Sequence, residues 1–178
     1  NAFNNEKTIV YHNKLKNFGI LQYGKILEAN GCIGLDDRPK DESICKVCRN
    51  TFEIHNLPIG ERLKYRCCNN FSPIRFAILT GDASDAERDN IKMTFNSRLN
   101  TFGAKCSCVF VSNVAYSGVS FLNTNNLVMI SCVSDISKWK QIAARIVRTK
   151  SHASLPPNKQ IAKIYTFVVN LPDERKQF

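Results

Sequence analysis

The chain has 178 residues, a formal net charge of +10 and eight cysteines. That length suits one domain, or one domain with an insertion, and lets about 70% of the unfolded surface be buried, so folding requires neither metal nor disulfide. Cysteine density is too low for a small secreted disulfide scaffold, no apolar run approaches the roughly 18 residues of a membrane span, and the positive charge favours a polyanionic partner such as nucleic acid.

Lys7 to His12, KTIVYH, is short, apolar and β-branched, and reads as a buried strand. A helix is expected next, with Phe18, Leu21, Ile26 and Leu27 among its apolar positions and an end near Asn30-Gly31. From Cys32 to Ser72 periodicity disappears, and this turn-rich stretch reads as an insertion with its own logic. Order returns with a strand at Arg75 to Thr80. Ser84 and Glu87 then form a capping-box pattern that opens a helix running to about Ser97, with Ile91, Met93 and Phe95 apolar. Cys106 to Ser112 is a further strand, Asn113 to Ser120 a loop, and Leu127 to Ser131 another buried strand. Ile161 to Val169 closes the sheet. Four or five apolar strands separated by helices predict a three-layer α/β domain with a mainly parallel sheet, whose ligands gather at the carboxyl ends of the strands.

Between the last two strands, Ser134 to Lys150 reads as one amphipathic helix capped by Asp135 or Ser137, with Trp139, Ile142, Ala143 and Ile146 on its apolar face. Gln141, Arg145 and Arg148 are spaced by four and three residues, which stacks them on the opposite side. Guanidinium is a permanent planar cation with a fork of donors, suited to charge on a transferring phosphoryl group. Met alone, the same spacing describes a solvated basic face.

The order of these parts resembles the second RecA-like domain of superfamily-two helicases and translocases. KTIVYHN is similar to the family's fourth motif. Leu79 to Asn96 is similar to its glycine-bearing strand end and the helix carrying Glu-Arg and Phe-Asn, Phe110 to Phe121 resembles motif five, and Gln141 to Arg148 resembles motif six. Within that family, ARIVRTKSHASLPP resembles the transcription-associated ATPases and helicases of large cytoplasmic DNA viruses such as the pox and African swine fever viruses.

The resemblance implies that residues 1–178 form a C-terminal RecA-like motor domain carrying an insertion at 32–72. It implies that Arg145 and Arg148 are arginine fingers aided by Gln141, and that Thr80, Gly81, Ser112, Asn113 and Gly118 contact a DNA or RNA backbone or couple it to the nucleotide. Two departures stand out: Ala144 replaces a frequent glycine, and Ser120 stands where many relatives carry an acid that meets ribose. The sequence has no G-x-x-x-x-G-K-[ST] and no strand-ending Asp-Glu pair. ATP and Mg2+ are therefore expected to be held mainly by a partner RecA-like domain N-terminal to Asn1, and this chain alone is expected to be inactive. An intracellular, reducing setting follows, in host cytoplasm or virion alongside viral transcription machinery and without membrane attachment. The other reading is a non-catalytic nucleic-acid-binding or interaction module that keeps the fold.

Cys45 and Cys48 have the C-x2-C spacing of a zinc grip, and Cys67 with Cys68 supplies a second, less regular pair. One of that pair with His55 or Cys32 would also complete four ligands for Zn2+; otherwise the thiols form a reduced, packed cluster. Cys106 and Cys108 are expected to share one strand face and pack.

Overall fold

In the computed structural model, residues 6–112, 119–131 and 135–167 are described. Six strands form one sheet in the order β2-β3-β4-β1-β5-β6, and every neighbouring pair runs parallel. They are β1 (Lys7–His12), β2 (Ile33–Gly34), β3 (Arg75–Leu79), β4 (Cys108–Ser112), β5 (Thr124–Met129) and β6 (Lys163–Thr166). The strand beyond the expected number is β2, whose two residues join the sheet edge from within the stretch read as an insertion.

Central strand β1 is buried at all six positions because both faces of the sheet are occupied around it. Ile9 and Tyr11 meet Val109, Val111, Leu127 and Met129 on one face, under Ile91 and Phe95 of α4 (Asp85–Asn96) and Ile142 of α5 (Ile136–Ala143). Val10, Cys108 and Phe110 pack on the other, with Ile20 from α1 (Ile20–Ala29). This is the three-layer, RecA-like α/β arrangement. Cys106 and Cys108 fall in opposite core clusters rather than on one face, because the strand begins only at Cys108. Two four-residue helices, α2 (Phe52–His55) and α3 (Ile59–Arg62), lie between β2 and β3. No helix among the described residues is long and apolar enough to cross a membrane.

Three helix expectations need correction. Phe18 and Ile26 are exposed: Asn17 and Phe18 both take left-handed backbone (φ 49° and 66°), so α1 starts only at Ile20. Its buried stripe is Ile20 and Gly24, backed by Tyr23 and Leu27. A Cβ at Gly24 would stand 2.6 Å from Ile78 Cδ1, so the helix rests directly on β3 there. In α4, the Ser84–Glu87 capping box forms, and Ile91 and Phe95 are buried one turn apart; Met93, between them in sequence, faces solvent.

The helix expected to run to Lys150 ends as regular helix at Ala143. Beyond it, the Arg145 and Ile146 amides bond Ile142 and Ala143 carbonyls at 3.1 Å, tightening the chain to a three-residue turn. Ser151 then fixes the exit: its hydroxyl donates to the Ile146 carbonyl at 2.9 Å, and its amide to the Arg148 carbonyl at 3.0 Å.

Lys7 is fully buried at the amino end of β1, where its ammonium donates to the Phe95 carbonyl at 2.5 Å and lies 4.1 Å from the Phe95 ring centroid. Burial, only partly offset by the Cys106 thiol, lowers its pKa to about 7. The unfolded chain holds that proton to about pH 10, so from pH 7 upward the unfolded state binds more protons and folding stability rises. Between about pH 7 and 9 denaturant midpoints are expected to increase with pH, this group contributing the equivalent of at most about 1.4 kcal/mol per pH unit on top of the rise from the lowered pKa values of Lys46 and Cys48. Lys7→Met should flatten the slope; equal slopes in both proteins would contradict the assignment.

Candidate functional site

The end of α4, residues 119–123 and the turns after α5 converge on one surface. Asn96, the last residue of α4, donates from Nδ2 to the Ser120 carbonyl at 2.9 Å and accepts the Leu122 amide on Oδ1 at 2.8 Å. Phe95 beside it meets Phe121 edge-on at 5.5 Å. The Phe121 amide donates to the Arg145 carbonyl at 3.2 Å, and the Arg148 guanidinium donates to the Ser120 hydroxyl. Below them, the Asn123 amide donates to the Ser151 carbonyl at 2.9 Å, and His152 Nε2 sits 2.7 Å from the Thr124 carbonyl. A side-chain amide and a pair of turns thus lock the end of the motif-five segment to the arginine segment.

Gln141 and Arg148 are exposed and Arg145 is half-buried. Among the described residues no carboxylate forms an ion pair with either guanidinium. The three do not stack on one continuous helical face, since Gln141 lies on α5 and the arginines lie in the turns beyond it. Serine at position 120 has a physical consequence here: it accepts from Arg148 without cancelling its charge, which an acid at this contact would do.

The other predicted contacts lie elsewhere. Thr80 follows β3 and Ser112 is the last residue of β4, adjacent strands in register at Leu79 and Val111, so they share the carboxyl end of the sheet. The arginine turns instead pack against residues immediately preceding β5, on the opposite, amino side of that strand. Asn113 and Gly118 lie outside the described residues. The Gly81 carbonyl accepts from Arg88, whose Nε also donates to the Ala83 carbonyl at 2.9 Å, fixing the strand-to-helix turn. A cavity of about 450 Å3 beside Thr80 is lined by Glu28, Asp36, Asp82 and Glu87, a field that repels phosphate. The nearest approach to a phosphate loop in this chain, Gly19 to Lys25, is followed by Ile26 rather than Ser or Thr, and most of it is wound into α1.

Within the cysteine segment four ligand atoms face one another: Cys45 Sγ, Cys48 Sγ, His55 Nε2 and Cys68 Sγ, all within 4.8 Å. Cys45 to Cys68 is 3.5 Å, Cys48 to Cys68 3.6 Å and Cys48 to His55 3.1 Å. Tetrahedral ligands about 2.3 Å from a common centre stand about 3.8 Å apart, so the set fits a metal of that kind. Cys67 is not part of it, because adjacent side chains diverge and its sulfur instead accepts from Asn50 Nδ2 at 3.3 Å. Cys32 is buried in the second core cluster. Burial pushes the Cys48 thiol up, but hydrogen bonds from the Cys68 and Asn50 amides and from the His55 and Cys68 side chains outweigh it and bring the pKa to about 6. Burial, then its bonds to Cys45 and Cys48, takes Cys68 up to about 12.

No family model matches the chain. An early transcription factor large subunit homologue of African swine fever virus is 29% identical over 167 residues, covering 94% of this chain and 14% of that protein. A protein of Acanthamoeba polyphaga mimivirus whose name places it among ATP-dependent RNA helicases is 29% identical over 149 residues, 84% of this chain and 25% of its own length. This chain's relatives are viral transcription and helicase proteins. That is the group which the run ARIVRTKSHASLPP resembles. A crystal structure of the C-terminal part of the Fun30 ATPase domain covers 90% of this chain and 34% of its own, with a TM-score of 0.49 and 14% identity. The chain thus spans 14% and 25% of the length of these two viral relatives.

Proposed function

We propose that residues 1–178 are the C-terminal RecA-like motor domain of an ATP-dependent helicase or translocase serving viral transcription, with residues 32–72 as an insertion. One observation carries this reading: two guanidinium groups have no acidic partner among the described residues, and the residues that bear them join the end of the motif-five segment, Arg148 through its guanidinium on the Ser120 hydroxyl and Arg145 through its carbonyl, which accepts the Phe121 amide. Positive charge held without compensation suits the shared negative charge of a transferring phosphoryl group. Arg145 and Arg148 act as fingers on ATP, with Gln141 beside them. ATP and Mg2+ are held mainly by an N-terminal RecA-like domain of the same protein, so this chain alone turns over no ATP.

Ser112, Asn113 and Gly118 contact a nucleic-acid backbone, DNA or RNA, while Thr80-Gly81 serves chiefly the turn into α4. The separation of Ser112 from the arginine turns gives the domain two working places, one for the tracked strand and one for nucleotide. The setting is intracellular, in host cytoplasm or virion, and the cysteine segment holds Zn2+.

Asn96 is a positioning residue in this scheme, linking α4 to the motif-five segment. Asn96→Ala should lower nucleic-acid-stimulated ATP turnover of the intact protein by about tenfold, the equivalent of roughly one charge-independent hydrogen-bond pair, with ATP binding retained. Stimulation identical to wild type would contradict that role. Intact protein that binds nucleic acid yet hydrolyses no ATP would favour the non-catalytic module instead.

A further inference from the structure

Residues 35–72 have little to hold them in place. Among those described, Cys45 is the one buried apolar residue, while Val47, Ile59, Leu63 and Tyr65 are exposed, and neither α2 nor α3 exceeds four residues. Helices this short do not stand alone. The order in the segment centres instead on the four facing ligand atoms.

Each ligand is aimed by its own backbone device. Cys45 and Cys48 bracket a tight turn closed by the Cys45 amide on the Asn50 carbonyl at 2.8 Å and the Arg49 amide on the Cys45 carbonyl at 3.0 Å, with Arg49 in left-handed backbone (φ 66°). His55 leaves α2 edge-on to Phe71, at 5.0 Å between ring centroids, which sets its ring plane toward Cys48. Cys68 follows another left-handed residue, Arg66, and its carbonyl accepts from the Arg62 guanidinium at 2.9 Å.

The same turn reaches into the body of the domain. Cys45 forms an antiparallel bridge with Pro73, just ahead of β3. Between the two cysteines of the turn, Lys46 is buried, and its ammonium donates to the Phe102 and Gly103 carbonyls at 3.0 and 2.8 Å, ahead of β4. These anchor points lie at the amino ends of β3 and β4, opposite Thr80 and Ser112.

We infer that Cys45, Cys48, His55 and Cys68 form a closed, structural Zn2+ site that bolts the cysteine segment to the amino edge of the sheet, with Lys46 as the bolt's inner end. Four protein ligands leave no open position for substrate, and the site stands away from the strand ends where the proposed nucleic-acid contacts lie. The inference deepens the zinc part of the function proposed above and is independent of the motor part. Thiolate and imidazole in a three-to-one ratio match Zn2+ in both ligand softness and geometry.

The test is metal content and ligand identity in protein purified under reducing conditions. Wild type should carry one zinc equivalent that Cys48→Ser lacks and that Cys67→Ser and Cys32→Ser retain. Co2+ exchanged into wild type should give the visible spectrum of a three-sulfur, one-nitrogen tetrahedral site, and His55→Cys should convert it to the four-sulfur spectrum with metal still bound, so the result does not depend on a variant that fails to fold. Stripping zinc with a chelator should open residues 35–72 to protease while the sheet stays protected. Wild type without zinc, or with a Cys45–Cys68 disulfide in its place, would overturn both the site and the zinc part of the proposed function. Zinc lost in Cys67→Ser, or a wild-type spectrum with four sulfurs, would overturn this ligand set and leave zinc itself standing.

Discussion

Arg148→Ala in the intact protein is expected to cut ATP turnover by about 10³ to 10⁵, the range associated with loss of a phosphoryl-transfer arginine. Arg148 is exposed, so its removal costs the fold little, and circular dichroism and the denaturation midpoint should stay near wild type. ATP binding should also persist, because the finger acts on charge that develops during transfer. Arg148→Lys should recover little of the lost rate, since a flexible ammonium cannot reproduce the planar fork that bonds Ser120 on one side and reaches out on the other. Ser120→Asp offers a separate route to the same end. A carboxylate at the Arg148 contact would neutralise the guanidinium and should depress turnover more than Ser120→Ala does. Undiminished steady-state hydrolysis by Arg148→Ala would remove the nucleotide role.

Asn100→Ala is expected to destabilise the domain by roughly 3–5 kcal/mol, since it orphans several buried backbone groups at once. Asn100 is fully buried, and its side chain satisfies four partners: Nδ2 donates to the Phe95 and Cys106 carbonyls at 3.0 and 3.1 Å, and Oδ1 accepts the Lys105 and Cys106 amides at 2.8 and 2.9 Å. This one amide closes the loop from α4 to β4 and fixes the helix end on which Phe95 and Asn96 sit. Asn100→Asp keeps the two acceptor contacts and sets a carboxylate against two carbonyls, so it should be no better tolerated. Urea denaturation followed by fluorescence and circular dichroism measures both, and a loss below about 1 kcal/mol would mean the loop is held by other contacts.

Much of the sheet was legible because parallel, doubly buried strands write themselves as continuous apolar runs: KTIVYH, RFAIL and CVFVS appear in the structure as β1, β3 and β4 within a residue or two of their expected limits. Strand β5 begins three residues before its apolar run, at Thr124-Asn125-Asn126, because polar residues can be buried where side-chain bonds satisfy them, as Asn125 does with the Lys159 and Ile161 carbonyls. Two-residue β2 has no periodicity to detect. Helix starts were written in local capping chemistry at Ser84 and Asp135, whereas the end of α5 was not: Ala144 to Thr149 carries an acceptable helical pattern, and the turn there is imposed by Ser151 and by the burial of Ile146.

At the candidate site, residue types were legible and their partnerships were not. Arg145 and Arg148 stand out by spacing, but the Asn96 clamp on Ser120 and Leu122 joins residues 24 and 26 positions apart and depends on how α4 meets β5. His55 was one of several candidates for a fourth ligand, and only the fold decides between it and Cys67, by turning the Cys67 thiol toward Asn50 while α2 and Phe71 aim the imidazole inward.

The central claim is that the pair at 145 and 148 meets nucleotide. A structure of the intact protein bound to ADP, Mg2+ and aluminium fluoride, a mimic of the phosphoryl group in transfer, tests it most directly. The account predicts at least one of the two guanidinium groups within about 3 Å of a fluoride. Both arginines turned to solvent or to protein carboxylates, with the closed nucleotide site complete without them, would contradict it.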